Sequence, residues 1–275
     1  MIRLALINAA MHNCNASRDG KCLRYKRHWR LKEYDGESLK DSFADSAAAI
    51  RADLGAMRSF PGVGEIVEAD SRHVLVDDLD ADFKLCVTSP PYLNSFDYTD
   101  VYRPELFLGG FVESGEELRA LRYATVRSHV QADWEKPIGQ IISPILSECL
   151  QRIEDRRHLL WDRRIPDMIQ AYFEDMLSVL TALRQRARRD ASLWIVVSTS
   201  AYVGVEIPVD LIIGHVGTLA GWRLREVSVV RHLRTSGQRW QRYGGNKNEK
   251  PQLRESVVIL DAMARRVSRR APKVR

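Results

Sequence analysis

Little in this chain speaks for metal or disulfide chemistry. Its four cysteines, Cys14, Cys22, Cys86 and Cys149, are scattered and form no Cys-x-x-Cys pair. That supports neither a zinc site nor a disulfide framework and leaves a reducing cytoplasm as the expected compartment. His129 and His215 have no metal-ligand spacing around them and read as structural. The N-terminal stretch "MIRLALINAAMHNC" is too short to span a bilayer, has no cleavage signal after it, and reads as an amphipathic or buried helix. No internal repeat is evident.

What is there is an ordinary globular composition, 45% apolar and 28% charged over 275 residues, enough for one large domain or two small ones. The balance is basic, with 42 Lys and Arg against 36 Asp and Glu and a net charge of +6. Arginine dominates, and its planar fork suits phosphates and base edges. A polyanionic partner is therefore expected.

Residues 15 to 36, "NASRDGKCLRYKRHWRLKEYDG", are polar and basic and read as an exposed loop, either a solvated connection or a nucleic-acid contact. A helix is predicted over 37 to 58, opened by Ser38 or Asp41. "EIVEADSRHV" predicts a short strand ending at Asp70 and Ser71, and Phe83 to Thr88 a buried strand that two prolines end abruptly. From Leu93 to about Trp161 the chain is helical in tendency and rich in arginine, which suggests an inserted helical subdomain over 93 to 164. The span from Ile165 repeats apolar residues at helical spacing, with basic residues in its last turns. "ASLWIVVSTS" then predicts a strand, the segment from Pro208 a helix, and "RLREVSVVRHL" and "ESVVIL" two further strands. Residues 263 to 275 read as a disordered basic tail. Strands ending in polar residues and alternating with helices predict an open α/β sheet, which binds ligands at the carboxyl ends of its strands.

The stretch "TSPPY" lies at one such end. Pro90 and Pro91 cannot donate to a ladder, so a carbonyl is left aimed into the cleft. Ser89 adds a second hydrogen-bonding group and Tyr92 a flat face, which together describe a slot for a planar ring bearing an exocyclic amine.

These residues resemble the catalytic loop of the amino-methylating DNA methyltransferases, where Asp, Asn or Ser precedes Pro-Pro and an aromatic. The segments "YLNSFDYTDVYRPELFLGGF" and "ALRYATVRSH", and the closing strand-helix-hairpin stretch, are similar to a bacterial branch of that family. The resemblance implies a Rossmann-like class I sheet with strand order 3-2-1-4-5-7-6, S-adenosylmethionine as cofactor, DNA as substrate, and a flipped base held by Ser89, Pro90, Pro91 and Tyr92. The Ser form favours N4 of cytosine over N6 of adenine. It also implies Asp70, Ser71 and Thr88 on the cofactor side, and Arg119, Arg122, Arg127, Arg234, Arg239, Trp240 and Arg242 on the DNA side. Residues 1–92 and 165–262 would then be the catalytic core, with 93–164 as the target-recognition insertion.

One part of the family pattern is missing. A glycine-rich loop of the form Phe-x-Gly-x-Gly should follow the first strand, yet "FPGVGEI" precedes a strand and "SAYVGVEIP" has a single glycine. The sheet is thus expected to lack its first two strands. The chain is expected to be the larger, C-terminal part of a split enzyme of a restriction-modification or defence system, completed by a second polypeptide that carries the glycine-rich motif. The alternative is an inactive DNA-binding or regulatory subunit that keeps the base pocket but not the cofactor site.

Overall fold

The computed structural model describes residues 1–18, 23–57, 64, 66–72, 82–139, 143–233 and 252–263. The chain divides into two units, 1–68 with 96–125 and 69–95 with 126–275. The segment 93–164 is thereby shared between them rather than forming a unit by itself.

In the first unit, α1 (Ile2–His12) buries Ala5 and Ala9. The basic stretch after it is not a plain loop. β1 (Ala16–Arg18) and β2 (Leu23–Tyr25) pair antiparallel, and a 3-10 turn follows at Trp29–Leu31. α2 (Gly36–Ala56) is capped by neither Ser38 nor Asp41: the Asp35 carboxylate accepts from the Ser38 backbone N–H at 2.7 Å. Asn13 ties the end of α1 to the start of α2, accepting from Ser38 Oγ at 2.7 Å and donating to Ser42 Oγ at 2.9 Å. α3 (Tyr98–Val101), α4 (Arg103–Leu108) and α5 (Gly115–Tyr123) complete the unit. Asp97 caps α3 and Ser114 caps α5.

The second unit is built on a mixed sheet. β3 (Phe83–Thr88) has the predicted bounds. α6 (Pro144–Glu154) and α7 (Ile165–Arg186) follow, and α7 runs directly into β4 (Ala187–Ser198), four residues earlier than the apolar run suggests. β5 (Ser200–Tyr202) and β6 (Val205–Ile207) form a small hairpin. α8 (Val209–Leu219), β7 (Trp222–His232) and β8 (Arg254–Ala262) close the chain. The sheet order is β3-β4-β8-β7, with β3 parallel to β4 and β8 antiparallel to both its neighbours.

One face of the sheet carries the core. Leu193, Ile195 and Val197 of β4 and Val258 and Leu260 of β8 are fully buried in one cluster with Ile169, Tyr172, Phe173, Met176 and Leu180 of α7. At Gly217 of α8 an added Cβ would meet the Leu260 side chain at 2.6 Å, so only glycine lets this helix sit so near β8. The opposite face is barer: Leu85, Val87 and Trp194 are 58%, 64% and 39% exposed. β3 is an edge strand among the described residues.

The short strand predicted to end at Asp70 is not found at 66–72, which form an irregular segment and a turn. Ile66 is 98% exposed, and the Asp70 carboxylate accepts from the Arg72 backbone N–H at 2.9 Å. A local side chain to backbone bond of this kind competes with a sheet ladder, and two apolar residues give too little burial to outweigh it.

Candidate active site

β3 delivers its loop to the carboxyl edge of the parallel pair, where Thr88 pairs with Ile195 and the ladder stops at the prolines. Ser89 is exposed and Tyr92 half-buried. The loop is held at several points. The Tyr92 hydroxyl donates to Glu255 Oε1 at 2.8 Å, and Arg231 Nε donates to the other carboxylate oxygen at 2.8 Å. Leu93 is fully buried, and its carbonyl accepts from the Tyr202 hydroxyl at 3.3 Å. Ser95 sits at a φ of 58°, and its N–H donates to the Ser128 carbonyl at 3.1 Å. A non-glycine residue in that region costs about 1–2 kcal/mol and is kept only where its surroundings insist on it.

Two titrating groups meet in this clamp. Burial first, then the Glu255 carboxylate, pushes the Tyr92 phenol above its ordinary value, while the Ser89 hydroxyl pulls it down. The Arg231 guanidinium, then the Tyr92 hydroxyl, holds Glu255 below the ordinary glutamate range. The lowered Glu255 stabilises the fold above its unfolded-state value, and that contribution is lost as pH falls through the lowered folded value. The raised Tyr92 contributes below its unfolded-state value, and that is lost as pH rises through the raised folded value. Glu255→Gln is therefore expected to flatten the acid side of the stability profile by about 1 kcal/mol or less, read from urea midpoints across pH.

Behind the clamp lies a second polar cluster. Successive residues of a strand face opposite ways, so Glu255 looks to Tyr92 while Arg254 and Ser256 look to α8. There Asp210, fully buried, accepts from Arg254 Nε at 2.8 Å and from Ser256 Oγ at 2.7 Å. The Arg254 backbone N–H donates to Thr199 Oγ1 at 2.9 Å, and Glu206 stands 3.5 Å from the guanidinium. Burial raises the Glu206 carboxyl, with Arg254 acting against it. The single glycine of "SAYVGVEIP", Gly204, is taken up by the turn between β5 and β6 with a φ of 82°, beside Val203 at 43°. Arg156 donates to the Val203 carbonyl at 3.0 Å.

Asp70 is joined to a third cluster. Its carboxylate takes the Arg72 guanidinium at 2.6–3.1 Å, Arg72 stands 3.6 Å from Asp175, and Asp175 accepts from Arg127 at 2.7 Å. The structure thus links Asp70, expected on the cofactor side, to Arg127, expected on the DNA side, through a buried carboxylate of α7. The Arg127 side chain is only 14% exposed. Arg122 is likewise engaged, with Asp97 at 2.8 Å and Thr99 at 3.0 Å. Arg119 and Ser71 are exposed, and Thr88 is half-buried at the end of β3. Arg234, Arg239, Trp240 and Arg242 lie outside the described residues. Sequence reasoning missed Glu255, Arg231 and Asp210. Their one signal is charge at the mouths of apolar strands and of a helix, as in "RESVVIL".

Among the described residues no group of three His, Cys, Asp or Glu side chains is arranged to hold a metal ion. No helix among them is long and apolar enough to cross a membrane.

No protein-family model matches the chain, and no solved structure matches it significantly. Curated relatives do. The chain is 26% identical over 165 residues to the Type II methyltransferase M.AvaI of Nostoc sp., covering 57% of this chain and 34% of that protein, and the same figures hold for M.AvaI of Anabaena variabilis. It is 23% identical over 250 residues to the Type II methyltransferase M.BsoBI of Geobacillus stearothermophilus, covering 82% of this chain and 48% of that protein. The chain is thus distantly similar to Type II methyltransferases. It spans a third to about half the length of these curated relatives. A mixed α/β architecture with a mixed sheet is consistent with a methyltransferase fold.

S-adenosylmethionine is the cofactor such relatives imply, and two of the features that would hold it are engaged otherwise among the described residues. The Asp70 carboxylate is closed by Arg72, and Gly204 belongs to a hairpin turn.

Proposed function

We propose that this chain is the base-holding part of an S-adenosylmethionine-dependent DNA amino-methyltransferase of a restriction-modification or defence system. N4 of cytosine is favoured over N6 of adenine as the target, and a second polypeptide supplies the glycine-rich cofactor motif. The observation that carries this reading is the Ser89–Tyr92 loop at the carboxyl end of β3, clamped by Glu255 from β8.

Further support comes from the sheet. The order β3-β4-β8-β7 fits strands 4-5-7-6 of the family's sheet, with the same single antiparallel insertion. The edge of β3, unpaired among the described residues, is then where the family's first strand would add its backbone ladder. The chemistry asked of these residues is modest. Ser89 and the Pro90 carbonyl accept from the exocyclic amine of a flipped base, Tyr92 stacks on its ring, and the nitrogen lone pair is thereby aimed along one line. No covalent enzyme intermediate is required.

The test is mass spectrometry of nucleosides from DNA incubated with this chain, its genomic neighbour and S-adenosylmethionine. N4-methylcytosine is the expected product. DNA binding with no methylated nucleoside would favour the regulatory subunit instead.

A further inference from the structure

The basic stretch between α1 and α2 carries a feature that the methyl-transfer reading does not use. Tyr25 and Trp29 stack with ring centroids 4.5 Å apart and an interplanar angle of 17°. Burial does not explain the pair, because Tyr25 is 70% exposed and Leu31 on the following turn 82%. The Arg30 guanidinium lies over the Trp29 ring, 5.3 Å from its centroid. The exposed Arg27 and Lys32 flank the stack.

This platform is anchored rather than loose. The Lys26 ammonium donates to the Met11 and His12 carbonyls at 3.3 and 2.9 Å, capping the end of α1, and its backbone N–H donates to the Asn15 carbonyl at 2.8 Å. His28 adopts a φ of 58°, which turns the chain so that Trp29 comes beneath Tyr25.

We propose that Tyr25, Trp29 and their flanking cations form a binding site for single-stranded DNA, one unpaired base stacking on Tyr25 and the adjoining phosphates meeting Arg27, Arg30 and Lys32. An exposed aromatic face accepts any base, and neighbouring arginines supply the charge that the backbone needs. From residue 23 to residue 34 there are five Lys and Arg and one Glu, a balance complementary to a polyanion. The site stands apart from methyl transfer, so binding is measured without cofactor.

The experiment is fluorescence anisotropy of the full chain with a labelled single-stranded 12-mer and with the matching duplex, over a potassium chloride series. Tyr25→Ala should weaken single-strand binding about tenfold, with the salt slope unchanged. Tyr25→Phe keeps the ring and should recover most of that loss. The Arg27→Gln/Arg30→Gln/Lys32→Gln variant should lower the salt slope by about two, near 0.7 for each phosphate no longer neutralised. Single-strand affinity and slope equal to the parent in both Tyr25→Ala and the triple variant would overturn the proposal. So would duplex binding as strong as single-strand binding and indifferent to Tyr25→Ala. Binding to phosphatidylserine vesicles through the same residues, with none to DNA, would overturn it in favour of a membrane contact. Failure of any of these leaves the nucleoside assay untouched, because that assay reads the Ser89–Tyr92 loop.

Discussion

Tyr92→Ala, assayed with the polypeptide that completes the cofactor site, is expected to lower single-turnover methyl transfer about 100-fold or more, with DNA affinity within about threefold of the parent. Two losses add. Removing the ring takes roughly 1–3 kcal/mol of stacking from the flipped state, so that less of the base is extruded, and a base free to rotate no longer presents its amine lone pair along the transfer line. On the proposed reading DNA affinity is spared, because the unflipped base stays paired in the duplex and backbone contacts, the usual main source of affinity, are untouched by the substitution.

Tyr92→Phe separates ring from hydroxyl. It keeps the stacking face but gives up the 2.8 Å bond to Glu255, a charge-assisted bond worth about 1.5–3 kcal/mol in a partly buried setting. The expected order of activity is parent, then phenylalanine, then alanine. Ser89→Ala should resemble Tyr92→Ala in rate while leaving the Glu255 clamp intact. Methylation at parental rates in either alanine variant would remove this loop from the chemistry. If phenylalanine were as poor as alanine, the hydroxyl's grip on Glu255 would matter more than the ring.

The residues needed for that expectation were unequally legible. β3 and its loop were visible because their cause is local: an apolar run and two prolines that no ladder accommodates. α7 was visible for the same kind of reason, since its buried side chains repeat at helical spacing. The partner of Tyr92 was not, because Glu255 lies 163 residues away and only the antiparallel seating of β8 between β4 and β7 brings it near. Arg127 and Arg122 were expected on the DNA side, and Asp175 and Asp97 hold their guanidiniums. Charge in a sequence does not say whether a counter-charge waits elsewhere in the fold. The hairpin of β1 and β2 was hidden by its exposure, because strands with little apolar content lack the alternation that announces a buried face. The segment at 66–72 erred the other way: two apolar residues suggested a strand, and the Asp70–Arg72 bond formed a turn instead.

Asp210→Ala is expected to destabilise the chain by about 3–5 kcal/mol, read as a lowered urea midpoint with an unchanged slope. Asp210 is fully buried at the first turn of α8 and receives two nitrogens of Arg254, the hydroxyl of Ser256 and the N–H of Leu211. Truncation leaves the guanidinium with Glu206, at 3.5 Å, as its remaining carboxylate, and strips Ser256 of its acceptor. Asp210→Asn keeps the volume and one acceptor and should cost less, about 1–3 kcal/mol. The double variant Asp210→Leu/Arg254→Met removes both charges together, and much of the stability should return, because an ion pair taken out of water gains little over well-packed apolar side chains. A cost below about 1 kcal/mol for Asp210→Ala would mean that water reaches the cluster and that the pair holds nothing. Recovery in the double variant without recovery of methyl transfer would separate two roles: the pair would then be dispensable for folding but needed to seat β8, whose next residue is the Glu255 that fixes Tyr92.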